Sequence, residues 1–267
     1  FQLSHDTVSI EEPLEIILKY KEGTSYIYKV LSITMRTPGH DQNLAIGFLF
    51  NEGIIDRYSD IQNVEFRINC HDDDVTQQTI VLEISKHLVH RIKDIDRHFY
   101  TSSSCGVCGK TAIDLLAANA KYILTRKENI IHYDLLYSLP QKLREAQIQF
   151  AQTGGIHACG IFNLKGELVQ YREDVGRHNA LDKLIGWSLE EVRLPWDNHI
   201  LLLSGRASYE LIHKAICIGI PVVASVGAPS SLAVQSADNF GLSLIGFLSN
   251  KKMNIYAHPY RISLPSP

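Results

Sequence analysis

Two cysteines with two residues between them, Cys105 and Cys108, lie in the run TSSSCGVCGK at residues 101–110. A pair at this spacing can supply half of a zinc site, form a disulfide switch, or provide a nucleophilic thiolate with a helper thiol. It can also be inert, as two small residues packed in a loop. The neighbouring glycines and Lys110 suit a flexible loop that carries a covalent intermediate, but the local residues leave all four alternatives open.

The zinc alternative lacks ligands. A structural zinc site usually takes four, often from a second C-x-x-C pair. The sequence has no second pair, so His98 or His132 would have to be recruited from outside any recognisable ligand spacing. The zinc deaminases place H-x-E before P-C-x-x-C, whereas here Ser104 stands in place of the proline and His157-Ala158-Cys159 lacks the glutamate. We therefore expect no permanently bound metal.

Small and positively charged residues recur in the second half where a strand or loop opens into a helix. Such turns favour phosphate groups, because ligands of open α/β sheets bind at the carboxyl ends of strands and helix N-termini attract anions. Each turn also has an ordinary interpretation, with Ser230 as a helix N-cap and Arg177 as a surface charge. Together they predict a phosphate or nucleotide pocket. The segments are Arg172–Asn179, Ser204–Ser208, Gly227–Ser231 and Phe247–Lys252, where a strand runs out into two lysines.

Composition narrows the class of protein. The 267 residues are 45% hydrophobic and 21% charged, which is typical of a globular chain. The net charge of −3 argues against broad nucleic-acid binding, which needs clustered lysine and arginine. Five cysteines, an odd number, predict a reducing, cytoplasmic setting, and no apolar run reaches the roughly 20 residues of a membrane span. The chain begins at Phe1, which indicates that the natural N-terminus precedes it.

The elements predict two parts of the chain. Residues 1–125 read as an α+β domain that ends in the C-x-x-C loop, with a hairpin turn at Lys21-Glu22-Gly23 and a helix over Asp41–Asn51. Residues 126–267 read as an α/β domain, in which alternating strands and helices predict a largely parallel, buried sheet. Its predicted helices are Asp134–Phe150, with Pro140 near its first turns or interrupting it, Ala180–Leu189, Ser208–Ile218 and Ser230–Asn239; its predicted strands are Ala158–Asn163, Glu167–Arg172, His199–Ser204, Val222–Val226 and Leu242–Leu248.

Seven segments, in order along almost the whole chain, resemble the formate dehydrogenase accessory protein family, FdhD. They are RTPGHDQNLAIGFLFNEGII (36–55), SSSCGVCGK (102–110), TGGIHA (153–158), REDVGRHNALDKLIG (172–186), LLLSGRASYELIHKA (201–215), APSSLAV (228–234) and GFLSNKKMNIYAHPYRI (246–262). The sequence departs from the family pattern at Asn250-Lys251-Lys252, where a Gly-rich, Arg-ended turn is more usual. It also departs at Cys159, where alanine is more usual.

The resemblance implies a cytoplasmic sulfurtransferase and chaperone for formate dehydrogenase. It implies that a cysteine desulfurase supplies sulfur as a persulfide on Cys105, with Cys108 as partner in transfer. The sulfur then passes to the molybdenum of a bis(molybdopterin guanine dinucleotide) cofactor. It further implies a homodimer and a three-layer α/β C-terminal domain similar to the cytidine deaminase fold.

The residues that match the family's cofactor-binding segment are Phe247, Leu248, Ser249, Asn250, Lys251 and Lys252. The cofactor's phosphates need an anion site, for which the candidates are Arg177, His178, Ser204 and Arg206. Two other functions remain open: a chaperone that binds the molybdenum cofactor without sulfur-transfer chemistry, and a C-x-x-C thiol redox switch.

Overall fold

The computed structural model describes residues 5–70, 76–92, 122, 124 and 131–263. The first part contains β1 (Glu12–Glu22), β2 (Ser25–Arg36), α1 (Asp41–Asn51), β3 (Ile61–Cys70) and β4 (Thr76–Ile84). Its four strands form one sheet in the order β2-β1-β4-β3, in which β1 pairs antiparallel with β2 and parallel with β4. The predicted hairpin and helix are confirmed at these positions.

The second part begins with β5 (Ile131–His132), α2 (Tyr133–Ala146), α3 (Ile148–Thr153), β6 (His157–Asn163), β7 (Leu168–Asp174) and α4 (Arg177–Glu190). It continues with β8 (His199–Leu203), α5 (Tyr209–Cys217), β9 (Val222–Ser225), α6 (Ser231–Asn239), β10 (Ser243–Gly246), β11 (Asn254–Ala257) and β12 (Ile262–Ser263). The short strands β5 and β12 pair with each other. The boundary predicted between residues 125 and 126 stays a prediction, because residues 125–130 lie outside the described residues.

A mixed sheet of six strands, in the order β11-β10-β9-β8-β6-β7, organises the second part. The pairs β8–β9 and β9–β10 are parallel, whereas β6–β7, β6–β8 and β10–β11 are antiparallel. The predicted α/β class is confirmed, but the expectation of a largely parallel sheet is wrong. The cause is that β6 enters the sheet from a hairpin with β7, so only the helix-connected strands β8 to β10 run parallel. The likeness to the cytidine deaminase fold stays a prediction.

Helices cover both faces of this sheet. Alternate residues of β8 point to opposite faces, so Leu201 and Leu203 join the core shared with α4, α5 and α6, while Ile200 and Leu202 pack with α2. The first core continues through α1 to the inner face of the four-stranded sheet. The layers are therefore α2, the six-stranded sheet, α4 with its neighbours, α1 and the four-stranded sheet.

The two parts meet where α1 crosses α4. At this crossing Gly47 of α1 lies against the backbone of Asp182, and Gly186 of α4 lies against the backbone of Asn43. A Cβ atom at either glycine would overlap the carbonyl oxygen of the facing residue. The helices approach this closely only because both positions lack side chains.

Pro140 lies inside α2 and does not interrupt it, because the helix continues to Ala146. The chain instead breaks at Gln147, and Glu173 of β7 determines where α3 begins. Its carboxylate accepts hydrogen bonds from the backbone N–H groups of Gln149 at 3.1 Å and Phe150 at 2.9 Å. The predicted single helix over Asp134–Phe150 is therefore two helices. Within the described residues, no helix is long and apolar enough to cross a membrane.

The glycine crossing gives the first testable outcome. We expect Gly47→Ala and Gly186→Ala each to lower the free energy of unfolding by about 3 kcal/mol or more, because the added methyl group meets backbone that cannot rotate away. Urea unfolding checks this. Gly155→Ala is the matched control, because its Cβ would find no atom closer than 3.7 Å. Equal stabilities of all three variants would contradict the crossing.

Candidate functional site

Several candidate residues converge on one edge of the six-stranded sheet. Ser204, Gly227 and Phe247 follow the parallel strands β8, β9 and β10, so they lie at the carboxyl ends of these strands. Because β6 runs antiparallel to β8, its first residue, His157, reaches the same edge. The following strand, β7, ends there too, and Arg177 opens α4 directly after it. The topology therefore brings together turns that are far apart in sequence.

Backbone hydrogen bonds hold the loops beyond the strands in fixed positions. The N–H of Gly227 donates to the carbonyl of Gly205 at 3.0 Å, and the N–H of Phe247 donates to the carbonyl of Gly227 at 3.1 Å. A Cβ at Gly227 would lie 2.9 Å from the backbone nitrogen of Arg206. These bonds continue the pattern of parallel hydrogen bonding past the ends of the strands. They join the loops after β8, β9 and β10 into one row.

Positive charge gathers along this row. Arg206 is exposed at its centre, and the Nε atom of Arg177 is buried without a hydrogen-bond partner. The ring of His157 lies beside Gly205, where an added Cβ would be 3.2 Å from Nδ1. No carboxylate among the described residues forms an ion pair with Arg177 or Arg206. An anion at this edge would find positive charge that no described carboxylate neutralises.

Burial first, and nearby positive charge second, lower the pKa values of the two histidines near this edge. Burial and the charge of Arg177 lower the pKa of His157 below its ordinary value. Burial, followed by the charges of Lys214 and Arg177, lowers the pKa of His178 to about 4. Both imidazoles are therefore neutral at physiological pH and can donate or accept hydrogen bonds.

His178 lines a different cleft from the one that Ser204 and His157 line. Its Nε2 atom is 3.3 Å from a carboxylate oxygen of Glu210 in α5. It lines a small cleft of 150 Å³ with Asp182 and Lys214, whose ammonium contacts both carboxylate oxygens of Asp182 at 2.6 Å. The structure thus brings Arg177 to the strand ends, whereas His178 lines this smaller cleft.

Part of the sequence motif Glu173–Asn179 makes structural contacts inside the protein. Asp174 is fully buried, and its carboxylate accepts hydrogen bonds from the backbone N–H of Gly176 at 2.9 Å and of Thr37 at 3.2 Å. It also pairs with buried Lys183 at 2.6 Å. These contacts join β7, α4 and the end of β2. Half of the motif that suggested an anion site therefore holds the fold together.

Ser204 has a structural partner. Its Oγ accepts a hydrogen bond from the backbone N–H of Ala158 at 2.8 Å, and its own N–H donates to the carbonyl of Ala158 at 3.0 Å. The hydroxyl keeps one proton that it can donate to a ligand.

The segment after β10 presents one aromatic ring and a polar turn. Phe247 is 45% exposed and has a φ of 52°, a left-handed conformation that costs free energy for a residue with a side chain. Leu248 is only 1% exposed and packs in the core, so its side chain cannot contact a ligand. The N–H of Ser249 donates to the carbonyl of Lys252 at 2.9 Å and closes a turn that exposes Asn250, Lys251 and Lys252.

A cleft of 470 Å³ opens beside the row, between the sheet and α2–α3. Its lining includes Ser204 and His157, and it adds Arg144 and Phe150, whose guanidinium and ring are stacked 3.4 Å apart. His157, Arg144 and Phe150 are absent from the site predicted from sequence. The signal for His157 is the pair Gly154-Gly155 just before it. Nothing in the local sequence marks the other two.

Cys105 and Cys108 lie outside the described residues, so the structure places neither. Cys159 and Cys217 are buried. Burial also raises the pKa of the Cys159 thiol far above its ordinary value, which makes this thiol a poor nucleophile. In the part of the chain that the structure describes, no group of three or more His, Cys, Asp or Glu side chains could hold a metal ion.

Known proteins have sequences similar to this one over almost the whole chain. A family model described as the FdhD/NarQ family matches residues 9–263. A protein of Streptomyces avermitilis named "Sulfur carrier protein FdhD" is 45% identical over 97% of this chain and 90% of its own length. Proteins with the same name from Mycobacterium tuberculosis and Saccharolobus solfataricus are 41% and 38% identical, over 97% and 96% of this chain and 92% and 91% of their own.

A solved structure has the same fold. It is that of a protein from Desulfotalea psychrophila assigned as a formate dehydrogenase accessory protein. The match has a TM-score of 0.67 at 24% identity and covers 97% of this chain and 91% of the other.

The effect of the Arg177 charge on the pKa values of the two histidines can be tested directly. We expect Arg177→Gln to raise the pKa of both His157 and His178, because it removes a cation that disfavours the imidazolium. Histidine NMR titration measures both values. Arg193→Gln is the matched control: it should raise the pKa of His199 and leave the other two unchanged. Unaltered titration of His157 and His178 in Arg177→Gln would place the arginine away from them.

Proposed function

The chain belongs to the FdhD/NarQ family, and from this premise we propose that it carries sulfur for the maturation of a formate dehydrogenase. The proposed substrate is a bis(molybdopterin guanine dinucleotide) cofactor, whose molybdenum receives the sulfur. The observation that carries the proposal is the row of strand-end loops, with positive charge that no described carboxylate pairs, beside an exposed aromatic ring. Such a row suits a ligand that combines phosphates with a planar base.

The sulfur is accepted on Cys105 in a step that needs no added oxidant. The Cys105 thiolate attacks the outer sulfur of a persulfide on a cysteine desulfurase. The sulfur–sulfur bond of the donor breaks, its cysteine leaves as a thiolate, and Cys105 becomes the persulfide. This exchange conserves both electrons and sulfur.

Cys108 releases the sulfur in this proposal. Its thiolate attacks the inner sulfur of the Cys105 persulfide, which forms a Cys105–Cys108 disulfide and frees hydrosulfide for the molybdenum. The two cysteines supply the two electrons that reduce the transferred sulfur. A cellular thiol reductant then restores the dithiol. The spacing of the pair suits a disulfide between its two members.

The cofactor is held, in this proposal, along the row of loops. Arg206 and Lys252 contact the phosphates, Arg177 contributes charge from behind, and Phe247 stacks on a guanine base. The backbone of the Ser249–Lys252 turn contributes further donors, and the Ser204 hydroxyl offers its proton. Leu248 positions this segment by anchoring it in the core.

The partners are part of the proposal. A cysteine desulfurase donates sulfur, a formate dehydrogenase receives the finished cofactor, and the functional unit is a homodimer in the cytoplasm. The support is the full-length similarity to proteins named as sulfur carriers.

Sulfur loading is tested with a cysteine desulfurase and cysteine, followed by mass spectrometry of the intact chain. We expect one added sulfur atom in the parent and none in Cys105→Ala. Cys108→Ala should load sulfur but retain it when an acceptor is added, because no thiolate attacks the inner sulfur. Cys159→Ala is the matched control and should load normally, since its thiol is buried.

Two outcomes would favour other functions. If Cys105→Ala still supports activation of formate dehydrogenase, the protein is a cofactor-binding chaperone without sulfur-transfer chemistry. If activity instead follows the redox state of a stable Cys105–Cys108 disulfide and no persulfide forms, the pair is a redox switch.

Nucleotide binding is tested separately, with guanosine diphosphate and isothermal titration calorimetry. We expect Arg206→Gln and Lys252→Glu each to weaken binding by about tenfold or more, because each removes a charged contact to phosphate. Lys165→Glu makes the same charge change in the exposed β6–β7 hairpin, at the opposite end of β6. Equal losses in Lys165→Glu and Lys252→Glu would show only a general electrostatic effect and contradict the site.

A further inference from the structure

A second cleft, of 490 Å³, opens on the other side of β7. It lies at the free edge of this outermost strand, between α3 and the segment that leads into α1. Its lining includes Gly39, His40, Gln149, Tyr171 and Arg172. None of its lining residues borders the 470 Å³ cleft beside the strand-end loops. The two clefts are therefore separate.

Arg172 is the unusual residue of this second cleft. It is 7% exposed, and its Nε atom is buried without a hydrogen-bond partner. One terminal nitrogen, Nη1, donates to the carbonyl of Tyr171 at 2.8 Å, and the guanidinium lies 5.8 Å from the ring of Trp187. No carboxylate among the described residues forms an ion pair with it. A buried cation is costly unless an anion pairs with it, and Arg172 has no such anion among the described residues.

The lining of this cleft extends to His40, the residue directly before α1. His40 occupies the N-cap position in a left-handed conformation, with φ 57° and ψ 31°, and its side chain makes no capping hydrogen bond. Only the fourth N–H of this end, that of Leu44, bonds back to the carbonyl of His40. The preceding N–H groups carry the partial positive charge of a helix N-terminus.

His40, Arg172 and Lys183 all line this cleft. Burial, then the charges of Arg172 and Lys183, lowers the pKa of His40. His40, Arg172 and the buried Lys183 thus share one region, with the start of α1 directly after His40. Lys183 is paired with Asp174, so Arg172 is the cation of this region without an ion-pair partner among the described residues.

The carboxylates near the cleft are all engaged elsewhere. Asp41 pairs with Arg36 at 2.9 Å, and Glu173 accepts from the start of α3. Asp174 pairs with Lys183. Glu190 accepts hydrogen bonds from the side chains of Gln42 and Asn43. The charge of Glu190 also opposes the lowering of the pKa of Arg172. Among the described residues, none of these carboxylates therefore pairs with Arg172.

We propose that this cleft binds a small oxyanion, a phosphate group, between the Arg172 guanidinium and the N-terminal N–H groups of α1. Arg172 provides the charged contact, and the helix N-terminus provides backbone donors. His40, at the N-cap position, borders the bound group. The phosphate belongs either to free inorganic phosphate or to a phosphorylated small molecule that fills the rest of the cleft. This site stands independently of the sulfur-carrier proposal.

Trp187 offers a local readout. The chain has two tryptophans, and Trp187 is the one whose ring lies beside Arg172. Titration with inorganic phosphate at constant ionic strength should produce a saturable change in tryptophan fluorescence. We expect Arg172→Gln to weaken this response by about tenfold or more, because a charged contact is lost. Arg206→Gln, on the row of strand-end loops and outside this cleft, should leave it unchanged, and Trp187→Phe should abolish the signal.

Controls separate a binding defect from misfolding. Thermal unfolding verifies that Arg172→Gln is folded, and Arg172→Lys should recover part of the response, because it keeps the charge but not the planar fork. Crystals of the parent protein soaked in selenate should show an anomalous peak within hydrogen-bond distance of Arg172. If guanosine diphosphate gives the Trp187 response in Arg206→Gln, the phosphate comes from a nucleotide; if only inorganic phosphate does, it is the free ion.

The inference is overturned by either of two results. One is a parent protein without a saturable response and without a selenate peak at Arg172. The other is a folded Arg172→Gln variant that binds phosphate with the affinity of the parent.

Discussion

The buried carboxylate of Asp174 joins the parts of this molecule on which the candidate site depends. One of its oxygens accepts from the backbone N–H of Gly176 and the side-chain amide of Asn179, which determines how α4 begins. The other accepts from Thr37 and Lys183, which attaches the end of β2 to the same point. A buried ion pair contributes less to stability than to specificity, because desolvation offsets much of its Coulomb energy. Here it specifies where Arg177 projects.

Two kinds of charged group coexist in the core and at its edges. Asp174–Lys183 and Asp182–Lys214 are closed pairs in which each charge has its partner. Arg177, Arg206 and Arg172 form no ion pair with a described residue, and the histidines nearby are pushed toward their neutral forms. The lack of a described ion-pair partner is what makes these three arginines the candidates of the two proposals for anion binding.

The sequence allows most elements to be predicted, because their signals are local. Alternating apolar residues define the strands, and Ser230 caps α6 as expected, with its Oγ accepting from the N–H of Ala233. Tertiary contacts decide the rest. The direction of β6 follows from its hairpin, the break at Gln147 follows from a carboxylate on β7, and the burial of Leu248 follows from its place in the second core.

Part of the candidate site could also be predicted from the sequence. Arg177, Ser204, Arg206 and Phe247 follow strands or open helices, so the α/β pattern alone brings them toward one edge. His157 and Arg144 come from an antiparallel strand and a covering helix, whose positions no periodicity reveals. Asp174 and Asn179 read as site residues because charged motifs between apolar segments usually mark function. In the structure, packing uses both as internal hydrogen-bonding partners.

A crystal structure with bound guanosine diphosphate tests the proposed cofactor site most directly. We expect the diphosphate beside Arg206 and the Ser249–Lys252 turn, with guanine against the ring of Phe247. A nucleotide bound away from the row of strand-end loops, with Arg206 and Phe247 unchanged and solvent-exposed, would contradict the proposed site.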